Sequence, residues 1–280
     1  LHMHKLEEIL QNPGMEYRNE TRWGLAEGMH TDETLKEDMQ MLEECGFGGV
    51  EFLAMNEYGA DSRRYGWGSE EWIHDSHLLL EEATKRGMAA SMTSGTNWSN
   101  ANLLNIVPDD KAASKELEFV ETILGAGEVF DGPLPKPEVK NPNVHEQELI
   151  AVVASKIVDK STEAGAVLTS ETAAESGINE VTVIGKEAIV LTDLASEDHL
   201  RWQAPEDGQY LLFFFWMHGT GQQATPSCGT SYTVNYLDPY GAEALIDYWN
   251  REVLTEEMQK WIGENGRVQL YMDSLELATY

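Results

Sequence analysis

Apolar and polar positions along the first half of the chain fall into blocks whose period changes, and each change marks a new element. Thr21 to Leu25 reads as a short strand. Thr31 then stands as a helix N-cap, with Asp32 and Glu33 complementing the helix dipole. Leu35, Met39 and Leu42 share one face until Gly46 ends the helix. Gly48 to Met55 is apolar on both faces except at Glu51, the pattern of a parallel strand buried under helices. Ser69 caps a second helix, with Glu70 and Glu71 in its first turn, Trp72, Leu79 and Ala83 on one side, and Gly87 at its end. Met88 to Thr93 predicts a third strand, and Asp109 and Asp110 open a third helix. That helix would turn Ala113, Leu117, Val120 and Leu124 inward until Gly125 to Gly127 stops it. Three such repeats are the rhythm of a (β/α)8 barrel or a doubly wound sheet.

The rhythm breaks at Gly132-Pro133-Leu134-Pro135-Lys136-Pro137, which can be neither helix nor central strand. Short β-branched or apolar segments follow at Ile150 to Val158, Val181 to Ile184, Ala188 to Leu191 and Leu200 to Gln203, and they predict a small β-subdomain. Tyr210 to Met217 again reads as a buried strand, trailed by a polar loop from His218 to Gly229. Helical stretches run from Asp238-Pro239 through Trp249 and from about Thr255 to Gly263, and Arg267 to Met272 is a fifth core strand. The expected architecture is α/β of the (β/α)8 TIM-barrel type, incomplete at about five βα units, with a β-rich insertion. Residues 1–130 would be the first part of the barrel, 131–209 the insertion, and 210–280 the barrel's continuation. A complete barrel takes about 250 residues without insertions. The chain would therefore be a fragment, a barrel closed by another polypeptide, or an open sheet.

Charge narrows the partners. Against 19 Lys plus Arg stand 49 Asp plus Glu, a formal net charge of −30, and that field repels phosphate backbones and anionic headgroups. Nucleic acid and membrane are not expected partners, and the longest apolar run is too short to cross a bilayer. Cys45 and Cys228 form neither a disulfide framework nor a zinc knuckle and are expected to be buried thiols. Leu1-His2-Met3-His4 carries no signal-peptide pattern, which leaves the address open between the cytoplasm and secretion after loss of a leader.

Ligands of α/β folds bind over the carboxyl ends of the strands, and the polar residues there are the candidates. Glu51 in its apolar strand must be paired, hydrogen-bonded or protonated, which makes it either a structural anchor or a tuned general acid. Asp273 and Glu276 directly follow the fifth strand, where two carboxylates can divide binding and proton transfer. Thr93 to Asn102 is dense in hydroxyls and amides around one indole, a mixture that suits sugars, with Asn97 and Trp98 at its centre. Trp67, Trp216 and His218 add to the same expected rim. His74 and His77 lack the glutamate and the i+4 spacing of zinc hydrolases and are expected to be surface histidines. No phosphate loop or serine elbow is present.

Gly46 to Glu51, Tyr65 to Trp72, Thr93 to Trp98 and Asp273 to Glu276 together resemble the catalytic barrel of glycoside hydrolase family 106, the α-L-rhamnosidases, over residues 21–127 and 210–276. The resemblance implies a (β/α)8 barrel, inversion at the anomeric carbon, a pair of acidic catalytic residues, and a calcium ion that helps to hold the sugar hydroxyls. It makes Glu276 one catalytic carboxyl. It places the second acid on a later strand than any read here, with Glu51 as the buried-strand candidate within this sequence. Inverting hydrolases separate the two carboxyls by about 6.5–9.5 Å. The expected partner is thus a carbohydrate substrate, terminal deoxysugars such as rhamnose above all. The rival reading is a non-catalytic carbohydrate-binding protein, a half-barrel completed by a second copy or another chain. A metal-dependent sugar isomerase is a third and lesser reading.

Overall fold

The computed structural model describes residues 2–26, 28–55, 59–95, 101–159, 166–169, 181–224, 230–271 and 277. They form two compact units, Leu1–Ser114 with Thr220–Tyr280, and Lys115–Gly219. The first segment of the discontinuous unit carries α1 (His2–Gln11), β1 (Glu20–Ala26), α2 (Asp32–Glu44), β2 (Gly49–Met55), α3 (Ser62–Tyr65), α4 (Glu70–Lys85), β3 (Ala89–Thr93) and β4 (Asn102–Leu103). The intervening unit carries β5 (Lys115–Leu124), β6 (Val129–Pro133), β7 (Gln147–Ile157), β8 (Ala166–Thr169), β9 (Val181–Val190), β10 (His199–Gln203) and β11 (Tyr210–Gly219). The return segment adds β12 (Gln223–Ala224), β13 (Ser231–Thr233), α5 (Pro239–Tyr248), α6 (Glu256–Asn265) and β14 (Val268–Tyr271). No helix is long and apolar enough to cross a membrane, among the described residues.

In the discontinuous unit, four strands make one sheet in the order β1-β2-β3-β14, every neighbouring pair parallel. Residues paired laterally share a face, and the two faces differ in chemistry. One presents Val50, Phe52, Ala90 and Met92 to Leu35 and Met39 of α2 and Leu79 and Ala83 of α4, forming the core. Full burial of each large side chain there is worth about 1.5–3 kcal/mol. The helices begin where their caps dictate: Thr31 and Thr34 form a reciprocal capping box, and the Ser69 hydroxyl accepts from Trp72 N–H at 3.1 Å. Gly49 lets the strands close, since a Cβ there would lie 2.8 Å from both the Ala89 Cβ and the Glu20 Cγ.

Among the described residues every strand pair of the intervening unit is antiparallel. Its five-stranded sheet runs β5-β11-β7-β9-β8, and a β10-β6 ribbon contributes Leu200 and Phe130 to a core with Val152, Leu212 and Phe214.

Several expectations change. The third helix, read over Asp109 to Leu124, does not form: turns lead from Asp109 into the strand β5, which begins at Lys115. The same residues carry a period-2 pattern, Glu116-Leu117-Glu118-Phe119, and pairing with β11 from Leu124↔Tyr210 to Lys115↔Gly219 selects it. Tyr210 to Met217 is a buried strand, but it lies at the centre of the antiparallel sheet instead of the parallel one. Burial on both faces reads identically in either setting. Val181 to Ile184 and Ala188 to Leu191 merge into the single strand β9. Among the described residues the parallel sheet thus has four strands where five were expected, and they form a mixed α/β structure without a closed barrel. Cys45, expected to be buried, is exposed because it forms the solvent-facing C-cap of α2. Cys228 lies outside the described residues.

Candidate functional site

The sheet face away from the helices is polar. Arg22, Glu51, Ser91 and Gln269 fall in one lateral row, with Thr93 and Tyr271 one layer nearer the carboxyl ends. Arg22 Nε lies 2.9 Å from Glu51 Oε1, and a second guanidinium nitrogen donates to the Tyr271 hydroxyl at 2.6 Å. The same guanidinium sits 5.0 Å from the centre of the Tyr271 ring. β1 and β14 are the two edges of the sheet. Three strand spacings of about 4.8 Å separate such edges, and side chains stand roughly perpendicular to a sheet. Contact between Arg22 and Tyr271 therefore requires the sheet to curl, with this polar face concave. Of the two readings of Glu51, the pairing with Arg22 supports the structural anchor.

The other expected site residues divide in two. Asn97, Trp98, Asp273 and Glu276 lie outside the described residues. Trp67, Trp216 and His218 are described, and each is buried among packed neighbours where an open rim was expected. Trp67 is 0% exposed, stacks on Tyr248 at 5.7 Å, and donates its indole N–H to the Thr93 carbonyl at 3.0 Å. Trp216 belongs to the core of the β-rich unit, with its N–H on the Pro135 carbonyl and Lys136 over its ring. His218 is buried, with Nε2 3.3 Å from Glu118 and Nδ1 3.7 Å from Glu116.

Sequence reading passed over Arg22 and Tyr271. The available signal was the single cation inside the Thr21 to Leu25 strand, because an acid in a buried strand needs a counter-charge. It also passed over His30, whose Nε2 lies 2.7 Å from Asp75 Oδ2. That hydrogen bond raises the imidazole above its ordinary value, against the lowering effect of burial. His74 is raised likewise by its bond to Asp32 at 3.0 Å. His77 does not join His74; it faces Glu257 at 3.5 Å.

Calcium takes six to eight oxygen ligands. The described carboxylate at the centre of the concave face does not fit that demand, since its neighbouring cation is already Arg22. No catalytic step is assigned to calcium.

Comparison with known proteins supplies the family. Among solved structures, a rhamnosidase from Novosphingobium sp. PP1Y shares the fold, with a TM-score of 0.70 at 14% identity over 97% of this chain. The match takes in 40% of that chain, so the present chain spans about two-fifths of its length. No curated protein matches. The profile of glycoside hydrolase family 106, described as alpha-L-rhamnosidase, matches residues 11–172. With more than half of its 280 residues so matched, the chain belongs to glycoside hydrolase family 106.

Proposed function

We propose that the protein cleaves terminal α-L-rhamnosyl groups, or closely related deoxysugars, with inversion at the anomeric carbon. The observation that carries this reading is the concave face on which Arg22, Glu51 and Tyr271 meet, on a sheet whose strand β14 runs in sequence directly into Asp273 and Glu276. Family membership supplies the reaction class. In this mechanism Glu276 is one carboxyl of the inverting pair and Asp273 assists beside it. Glu51, facing Arg22, takes a share in activating water or binding a sugar hydroxyl, and leaves proton donation to its partner. Asn97 and Trp98 contribute the amide and indole surface that sugars favour.

The test is hydrolysis of 4-nitrophenyl α-L-rhamnopyranoside followed by NMR of the first-formed sugar. The β-anomer is expected from the wild type, and Glu276→Gln should lower kcat by about 10²–10⁴-fold, the usual worth of a positioned acid or base, with an unchanged circular dichroism spectrum. First-formed α-anomer would overturn inversion, and undiminished turnover would remove Glu276 from the mechanism. One observation favours a second reading: β14 is a sheet edge with no further strand paired to it among the described residues. A carbohydrate-binding half-barrel completed by a second copy would bind rhamnose in calorimetry and scatter light as a dimer, yet release no nitrophenol.

A further inference from the structure

Outside the concave face, ligating side chains gather between α2 and α4. Asp32 lies in the first turn of α2, while His74 and Asp75 are adjacent on α4. One ligand atom from each lies within 4.8 Å of the others. His74 Nε2 and Asp32 Oδ1 stand 3.0 Å apart, close to the spacing of two ligands on one ion. We propose that Asp32, His74 and Asp75 form a binding site for a first-row divalent ion of the zinc type, held by one imidazole nitrogen and two carboxylates and tying α2 to α4.

Two observations support the site. The first is its mechanical division of labour. Asp75 is buried at 8% exposure and sits in the middle of a packed helix, so it supplies a fixed ligand. The side chains of His74 and Asp32 are 53% and 44% exposed, free to adjust toward Asp75 so that the ligand atoms reach the roughly 3.3 Å separations that tetrahedral bonds of about 2.0–2.1 Å require. The second is the outer support of Asp75. His30 bonds its Oδ2 at 2.7 Å and also engages the Ala26 carbonyl, the kind of partner that orients a ligating carboxylate.

Donor chemistry selects the ion. An imidazole with two carboxylates suits zinc and its neighbours, whereas calcium asks for six to eight oxygens at longer range. Two aspartates also balance a double positive charge, and the surrounding field of a chain at −30 concentrates cations.

The experiment is calorimetric titration of the chelator-treated 280-residue chain with zinc chloride, and in parallel with calcium chloride. Zinc should bind at a site that His74→Gln and Asp32→Asn each weaken at least tenfold, while His77→Gln leaves it unchanged. Both key substitutions are at exposed side chains, and circular dichroism verifies that the variants fold. Cobalt substitution gives a second reading: an intense visible d–d absorption should appear in the wild type and be lost in His74→Gln. Absence of zinc binding, equal affinity in the His74→Gln and wild-type proteins, calcium binding as tight as zinc, or a cobalt spectrum identical to the aqueous ion would each overturn the site. None of these outcomes depends on rhamnoside hydrolysis.

Discussion

Arg22 and Glu51 occupy paired positions on adjacent parallel strands, and their side chains meet at 2.9 Å on the concave face of the sheet. The glutamate side chain is only 15% exposed, so the pair ties a carboxylate to a place where desolvation would otherwise penalise it. The guanidinium is also in contact with Tyr271, which links both edges of the sheet through one side chain.

Removing the cation should therefore cost more than a surface ion pair would. Arg22→Ala is expected to destabilise the protein by about 1–2 kcal/mol, between the exposed-pair and buried-pair ranges because Arg22 itself is 36% exposed. Urea unfolding of Arg22→Ala, Glu51→Ala and the double variant gives the coupling directly. A coupling indistinguishable from zero would mean that the pair does not hold the face together.

The buried indoles should behave as packing. Trp67→Phe keeps the ring stack and loses the bond to the Thr93 carbonyl, for an expected loss of about 1 kcal/mol in stability. Rhamnose affinity should stay within twofold of wild type in both Trp67→Phe and Trp216→Phe. A tenfold drop in affinity with an intact fold would restore either residue to the sugar pocket.

Acid should weaken the α4 ion pairs. Burial raises Glu82, but hydrogen bonds from Arg86 and Lys85 outweigh it and hold the carboxyl below its ordinary value. A depressed folded-state value stabilises above the unfolded one, about 4.3 for glutamate, and that contribution fades as pH falls through both. Thermal unfolding between pH 7 and pH 3 should show a shallower fall in Glu82→Gln than in wild type. Parallel curves would contradict this assignment.

Residues 115–124 offer a direct check on their element. As an edge strand paired to β11 alone among the described residues, their amides should alternate between slow and fast hydrogen exchange, whereas a helix would protect them continuously. The amides of β11, paired on both sides, should be the slowest of that unit.

Local patterns made much of the parallel layer legible. The caps at Thr31 and Ser69, the apolar run around Glu51 and the third strand are short-range signals, and each element formed within a few residues of its reading. The same patterns failed from Asp109 to Leu124, where helical and alternating periods both fit the same leucines and glutamates. They failed again at Tyr210 to Met217, because a strand buried on both faces does not name its partners. Aromatic residues near strand ends looked like a sugar cleft for a similar reason. Sequence shows that an indole is present, and only packing shows that Trp67 lies under Trp72 and Tyr248.

By itself, the chain dictated where the capped helices of the parallel layer start, which strands are buried and that Glu51 must be paired, hydrogen-bonded or protonated, because those follow from neighbours within a few residues and from the cost of burying a carboxylate. Tertiary structure decided that Arg22 supplies that charge, that Tyr271 reaches it from the opposite edge, and that His74 turns to Asp32 and away from His77. Those pairings depend on sheet register, sheet curl and helix packing, which bring together residues that no short stretch of sequence relates.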